Sequence, residues 1–167
     1  MYLSKKDAKK INFKGNILEN NTKFIDESLI NLKDYFDSIF NDFKLDEEQR
    51  KVILTDEDYN LVIAGAGSGK TTTMAAKVKY LVEIKNIKPE DILIISFTNK
   101  AVSELKEKIN DEFKIPTKIC TFHKLGLDIL KQNNMNFKIV NTYEVINNYF
   151  NLVKGKELKD IIIYFKS

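Results

Sequence analysis

The chain has 167 residues, which suits one compact domain or slightly more, and 43% of them are hydrophobic, enough to fill a core. A net charge of +3 does not by itself indicate nucleic-acid binding, and no apolar run is long enough to predict a membrane span. Cys120 and His123 are the only cysteine and histidine, which excludes an internal disulfide, disfavours a Cys/His metal site and makes the cytoplasm the expected location.

The first third of the chain is predicted to be only partly helical. Residues 1–20, rich in Lys and Asn, are expected to be poorly ordered or to form a loosely docked arm. Between Phe24 and Phe43, apolar residues recur at steps of three and four, which predicts an amphipathic helix. A short helix is expected at Leu45–Leu54, with Asp46 as its N-cap and Gln49 completing a capping box.

A glycine-rich stretch, Ala64–Thr71, lies between a predicted strand, Leu61–Ala64, and a helical pattern. A phosphate-binding loop requires this order, because its glycines turn N–H groups inward and the helix N-terminus favours an anion. Lys70 would meet the β- and γ-phosphates and the Thr71 hydroxyl would bind Mg²⁺. Ala64 replaces the first glycine of the common pattern, but the context still favours nucleotide binding over a plain glycine-rich turn.

Strands and helices alternate in the rest of the chain. A strand buried on both faces is predicted at Asp91–Phe97, a second at Ile119–Phe122 and a third at Phe137–Val140, with helices after the first two and over residues 142–167. The alternation predicts an α/β fold with a parallel sheet flanked by helices, in which ligands bind at the carboxyl ends of strands. Three stretches should share that edge: Ala64–Thr71, Phe97–Lys100 and Thr121–His123.

Four ordered motifs together resemble the opening of the UvrD/Rep-like superfamily 1 DNA helicases, and within them the helicase IV-like branch. The motifs cover roughly residues 43–132 and comprise Leu45–Gln49, Ala64–Thr71, Ser96–Ala101 and Thr121–His123. The loop of this family typically starts Ala-Gly-Ala-Gly-Ser-Gly-Lys-Thr, which accounts for Ala64. The resemblance implies an N-terminal extension over residues 1–42, a partial RecA-like P-loop core over 43–140 and the start of a helical insertion over 141–167.

The resemblance also implies a role for each motif. Gln49 would read the adenine of ATP, and Lys70 and Thr71 would be catalytic, with Thr71 binding Mg²⁺. The full set of implied ATP contacts is Gln49, Ala64, Gly65, Ala66, Gly67, Ser68, Gly69, Lys70, Thr71 and Thr72. The implied contacts to single-stranded DNA are Phe97, Thr98, Asn99, Thr121, Phe122 and His123, although core packing is an equal alternative for the two phenylalanines.

The implied parent protein is an ATP-dependent 3′-to-5′ DNA helicase that acts on single-stranded DNA, or on a duplex with a single-stranded tail, together with its remaining lobes. No Asp-Glu pair follows either later apolar run, Ile92–Ile95 or Ile161–Ile163, and Arg50 is the only arginine. We therefore interpret the chain as an N-terminal ATP-binding fragment, expected to bind ATP or ADP weakly and to turn over negligibly. The alternatives are a non-catalytic nucleotide- or partner-binding module and a small P-loop kinase or other nucleotide hydrolase.

Overall fold

The computed structural model describes residues 1–133 and Met135, and it divides into two units, Met1–Lys124 and Leu125–Ser167. The described residues form seven α-helices and two strands, with a 3₁₀ turn at Pro89–Asp91 and a π-helical turn at Glu107–Glu112. The elements are α1 Lys5–Lys10, α2 Ile17–Asn31, α3 Lys33–Ser38, α4 Glu47–Leu54, α5 Lys70–Glu83, β1 Leu93–Ser96, α6 Asn99–Lys106, β2 Lys118–Thr121 and α7 Phe122–Gln132. The strand predicted at Phe137–Val140 and the helices predicted over 142–167 lie outside the described residues.

The N-terminal residues form helices and are docked, rather than poorly ordered. The Asn21 side chain accepts a hydrogen bond from Leu3 N at 2.9 Å and donates one to Leu3 O at 2.8 Å. Both backbone groups of the buried Leu3 are thereby satisfied, which holds the start of the chain against α2. The single helix predicted from Phe24 to Phe43 is wrong, because Leu32 leaves helical geometry with φ −102° and ψ 14° and separates α2 from α3.

Helix α5 lies between two hydrophobic clusters and contributes to both. Its Ala76 and Tyr80 belong to a first cluster, whereas its Ala75 and Val78 belong to a second. The other buried members of the first cluster are Phe36, Ile39, Phe40, Leu45, Ile53 and Leu54. Those of the second are Ile94, Val102, Leu105, Ile109, Ile115 and Ile119. Since α5 begins at Lys70, these contacts fix the helix that follows the glycine-rich stretch.

The two described strands pair in parallel, and their carboxyl ends coincide because Ser96 is opposite Thr121. β1 is shorter than the predicted Asp91–Phe97, and it is not buried on both faces. Ile94 packs in the second cluster, but Leu93 and Ile95 are exposed. Side chains of a strand alternate between the faces of the sheet, and in the described residues one face of β1 is covered and the other is not.

The predicted strand at Leu61–Ala64 is not formed. A strand is stabilised by backbone hydrogen bonds to a neighbour, and in the described part of the chain the sheet contains β1 and β2 alone. Leu61 and Ile63 are 87% and 90% exposed. The parallel pairing of an α/β protein is therefore present, whereas the glycine-rich stretch does not follow a paired strand. No described helix is both long enough and apolar enough to cross a membrane.

Candidate nucleotide-binding site

The stretch Ala64–Thr71, called the phosphate loop below, turns sharply before α5. Gly67 and Gly69 both have φ of 75°, a backbone conformation that residues with a side chain rarely adopt. The Ser68 hydroxyl donates to Gly65 O at 2.9 Å, and Ser68 N lies 3.5 Å from the same oxygen. Two glycines with positive φ and one shared carbonyl acceptor therefore define the turn.

The N-terminus of α5 is open toward this loop. Gly69 occupies the N-cap position, no side chain caps the helix, and its first turn contains no acidic residue. The first N–H groups of a helix have no partner within the helix, and the helix dipole makes this end favourable for anions. Gly65–Ser68 are exposed. The arrangement fits a polyphosphate group.

Lys70 is directed back over the phosphate loop. Its Nζ donates to Gly65 O at 2.6 Å and to Ala64 O at 3.4 Å. Lys70 is exposed, while Thr71 and Thr72 after it are half-buried in the first turn of α5. The ammonium group is therefore next to the loop, but it has to leave the two carbonyl groups in order to bind a phosphate.

Gln49 reaches the phosphate loop from α4. The predicted capping box is confirmed, since Gln49 N donates to Asp46 Oδ1 at 2.8 Å and Asp46 N donates to Gln49 Oε1 at 3.0 Å. Gln49 Nε2 also donates to Ser68 O at 3.2 Å. A Cβ atom at position 69 would lie 2.7 Å from Gln49 Nε2, so any other residue there would displace the Gln49 amide and would also have to adopt a positive φ. Two motifs that are 19 residues apart in the sequence thus meet at one site.

Lys77 is a structural link between α4 and α5 that the sequence reasoning missed. Its Nζ donates to Ile53 O at 2.6 Å and to Thr55 O at 2.8 Å, at the end of α4 opposite Gln49. Burial lowers the pKa of Lys77. The sequence feature that could have indicated this role is the spacing of seven residues between Lys70 and Lys77, which places both lysines on one side of α5. A lysine in a charged helix is nevertheless usually solvated, so the pattern gave no reason to single it out.

The strand ends form a second surface, Phe97–Asn99 after β1 and Thr121–His123 at the end of β2, called the strand-end surface below. Phe97 and Phe122 are 89% and 71% exposed, so neither packs in the core. Thr98 Oγ1 accepts from Ala101 N and caps α6, and Thr121 Oγ1 accepts from Lys124 N, both at 3.2 Å. Asn99 and His123 are exposed. The two threonine hydroxyls are thus already hydrogen-bonded to backbone amides, while the rings of Phe97 and Phe122 are accessible to a ligand.

A metal site formed by protein groups alone is not seen in the part of the chain that the structure describes. None of its His, Cys, Asp and Glu side chains form a group of three or more suited to a metal ion. Thr71 is the predicted Mg²⁺ ligand, and the first turn of α5 contains no carboxylate beside it. A Mg²⁺ ion usually keeps several waters and is held with substrate phosphates, so the structure is compatible with Thr71 as one oxygen ligand among them.

Comparison with known proteins identifies the family. The UvrD/REP helicase N-terminal domain matches residues 45–163. Relatives include the probable DNA helicase II homolog of Mycoplasma capricolum, 36% identical over 107 residues, and the putative ATP-dependent DNA helicase YjcD of Bacillus subtilis, 38% identical over 103. The ATP-dependent DNA helicase Rep of Buchnera aphidicola is 42% identical over 89 residues.

These alignments cover 62%, 58% and 51% of this chain but 15%, 14% and 13% of the three relatives, in that order. The chain thus spans a small part of the length of the curated relatives it matches. The family match, in contrast, covers more than half of the chain, and it confirms the resemblance to UvrD/Rep-like helicases that the four motifs indicated. The chain belongs to the UvrD/REP helicase family.

Proposed function

We propose that this chain binds ATP at the phosphate loop, as the nucleotide-binding part of an ATP-dependent DNA helicase with a RecA-like core. The contact between Gln49 and Ser68 O carries the proposal, because it joins the glutamine motif to the loop motif. The glycine conformations and the uncapped start of α5 support polyphosphate binding. Relatives named ATP-dependent DNA helicases support ATP as the nucleotide.

In this proposal the loop residues exchange their internal partners for the nucleotide. Lys70 would leave Gly65 O and Ala64 O for the β- and γ-phosphates. Gln49 Nε2 would leave Ser68 O to donate to the adenine edge, and Gln49 Oε1, which also accepts from Asp46 N, would accept from adenine through its second lone pair. The Thr71 hydroxyl would be one ligand of Mg²⁺. Hydrolysis of bound ATP supplies the free energy that such an enzyme couples to movement along DNA.

The strand-end surface is the proposed contact with single-stranded DNA or with the single-stranded tail of a duplex. Exposed aromatic rings such as Phe97 and Phe122 can stack on bases without sequence preference. Asn99 and His123 add polar groups beside them. A 3′-to-5′ direction, participation of the other helicase lobes and a cytoplasmic location belong to the same proposal, and they derive from the family.

A non-catalytic nucleotide-binding module is the second candidate. It is favoured by one observation, the lack of a carboxylate cluster suited to a metal in the described residues. Both candidates include ATP binding at the phosphate loop and differ in whether this chain hydrolyses ATP. The loop itself is therefore the feature to test first.

Replacing Lys70 by alanine tests the loop. The variant should lose at least about tenfold in affinity for Mg-ATP in calorimetric titrations, because a hydrogen bond to a charged group contributes about 1.5–3 kcal/mol. Lys88→Ala removes an exposed lysine of the connection before β1 and should leave the affinity unchanged. If Lys70→Ala binds Mg-ATP as tightly as the unmodified chain, the phosphate loop is not the site.

A further inference from the structure

Arg50, the only arginine in the chain, is held by a carboxylate outside the region that matches the family. Its Nη2 lies 2.6 Å from Asp37 Oδ1, and Asp37 belongs to α3, whereas the family match begins at residue 45. The side chains of Arg50 and Asp37 are 14% and 16% exposed, so water screens this pair less than it screens a surface ion pair. The family assignment gives Asp37 no role.

The same arginine fixes the start of α4. Arg50 Nε donates to Leu45 O at 2.9 Å, one residue before the N-cap Asp46. Its guanidinium group also lies over the ring of the fully buried Phe36, 5.7 Å from the ring centre. One side chain therefore connects α3 to both the entry and the first turns of α4.

Gln49 is the residue immediately before Arg50. Successive residues of a helix point about 100° apart around its axis, so one of the two can face α3 while the other faces the phosphate loop. The hydrogen bonds fit this division, since Arg50 contacts Asp37 and Gln49 contacts Ser68 O. Buried Ile53 and Leu54 and the Lys77 bonds hold the far end of α4, and the Arg50–Asp37 pair is the contact with α3 nearest to Gln49.

Two lysines share the Asp37 carboxylate, but they differ from Arg50 in exposure. Lys33 lies 2.7 Å and Lys44 3.2 Å from Asp37 Oδ2, and their side chains are 63% and 67% exposed. Hydrogen bonds from Lys33 and Arg50 keep the pKa of Asp37 below its usual value, so the carboxylate stays charged at neutral pH. All three cations therefore help to keep Asp37 charged, and Arg50 is the one among them that belongs to α4.

We propose that Asp37 and Arg50 are positioning residues that orient Gln49 toward the base of the bound nucleotide. This inference rests on the proposed function, in which Gln49 reads adenine. The N-terminal extension thereby takes part in base selection without touching the nucleotide. Phosphate binding, which depends on the loop and Lys70, does not require the pair.

Asp37→Asn in the full 167-residue chain tests the inference with three probes: Mg-ATP, Mg-GTP and inorganic tripolyphosphate. We expect the preference for ATP over GTP to fall about fivefold or more while tripolyphosphate affinity stays within about twofold, since a bidentate amide–adenine contact contributes about 1–3 kcal/mol of discrimination. Gln49→Ala should lose the same preference directly. Asp34→Asn, an exposed carboxylate on the same helix, is the matched control and should change none of the three affinities.

An equal loss for all three probes would mean general destabilisation and would overturn the inference, as would an unchanged ATP-to-GTP ratio. Arg50→Lys is a second, milder variant, because it keeps the cation but removes the Nε bond to Leu45 O. It should lower the ATP preference in part, and full retention of the preference would also count against the pair.

Hydrogen exchange without nucleotide separates this inference from the proposed function. In Asp37→Asn, the backbone amides of Gln49 and Arg50, which donate to Asp46 Oδ1 and Asp46 O, should exchange faster than in the unmodified chain, and in Asp34→Asn they should not. If the unmodified chain binds no ATP, the proposed function fails. The exchange rates then still decide whether Asp37 orients α4, and unchanged rates reject that role.

Discussion

The phosphate loop and the strand-end surface differ in what their polar groups contact before any ligand binds. In the loop, the side chains that would meet a nucleotide contact the loop itself: Lys70 binds Gly65 O and Gln49 binds Ser68 O. At the strand ends, the hydroxyls of Thr98 and Thr121 cap helices, whereas the rings of Phe97 and Phe122 project into solvent. The polar side chains of the phosphate loop are thus bonded within the site, whereas the aromatic rings of the strand-end surface are exposed to solvent.

The difference indicates how each site would bind. A ligand of the phosphate loop replaces hydrogen bonds that already exist, so its net affinity is the difference between two sets of polar contacts. A ligand of the strand-end surface covers exposed rings and need not displace the threonine caps. We therefore expect nucleotide affinity to depend on charged and polar residues, and DNA affinity to depend first on the two phenylalanines.

The largest effect at the strand ends is expected for Phe97→Ala. Stacking of a base on an aromatic ring contributes about 1–3 kcal/mol by alanine substitution, so affinity for a single-stranded oligonucleotide should fall about fivefold or more. Fluorescence anisotropy with a labelled oligonucleotide measures the change. Tyr59→Ala removes a comparably exposed aromatic residue outside the strand ends and serves as the control. If both variants lose the same affinity for the oligonucleotide, the strand-end surface is not the DNA-binding site.

A smaller effect of a different kind is expected for Thr98→Ala. Loss of an N-cap hydroxyl destabilises a helix by about 1 kcal/mol, so the free energy of unfolding should fall by that amount in denaturant titrations. Thr98→Ser keeps the hydroxyl that accepts from Ala101 N and should retain most of the stability. Oligonucleotide affinity should change less than in Phe97→Ala. If Thr98→Ala loses more DNA affinity than Phe97→Ala and keeps its free energy of unfolding, Thr98 contacts DNA directly.

Features set by neighbouring residues were predictable from the sequence. The capping box of Asp46 and Gln49 and the helix after the phosphate loop follow local rules and are present. The parallel pairing of β1 with β2 is not local, but the alternation of strands and helices along the chain predicted it. The glutamine motif and the loop motif were expected to share one site because of the family resemblance. Their hydrogen bond agrees with that expectation.

Features that depend on distant partners were not predictable. The apolar run at Leu61–Ala64 predicts a strand, yet a strand needs a paired neighbour, and Leu61, Val62 and Ile63 are exposed. Arg50 stood out only as a lone arginine, because nothing in the sequence links it to Asp37. Lys77 was missed because its acceptors, Ile53 O and Thr55 O, are backbone groups that any residue carries.

ATP is proposed to bind at the phosphate loop beside Gln49, and amide NMR spectra of the full chain, recorded while ATP and Mg²⁺ are added, test this binding site. ATP should shift one set of signals together: the backbone amides of Gly67, Gly69 and Lys70 and the side-chain amide of Gln49. The backbone amide signal of Phe97 should not shift. Shifts that leave the loop glycines and Gln49 unchanged, or no shifts at saturating ATP, would contradict the claim.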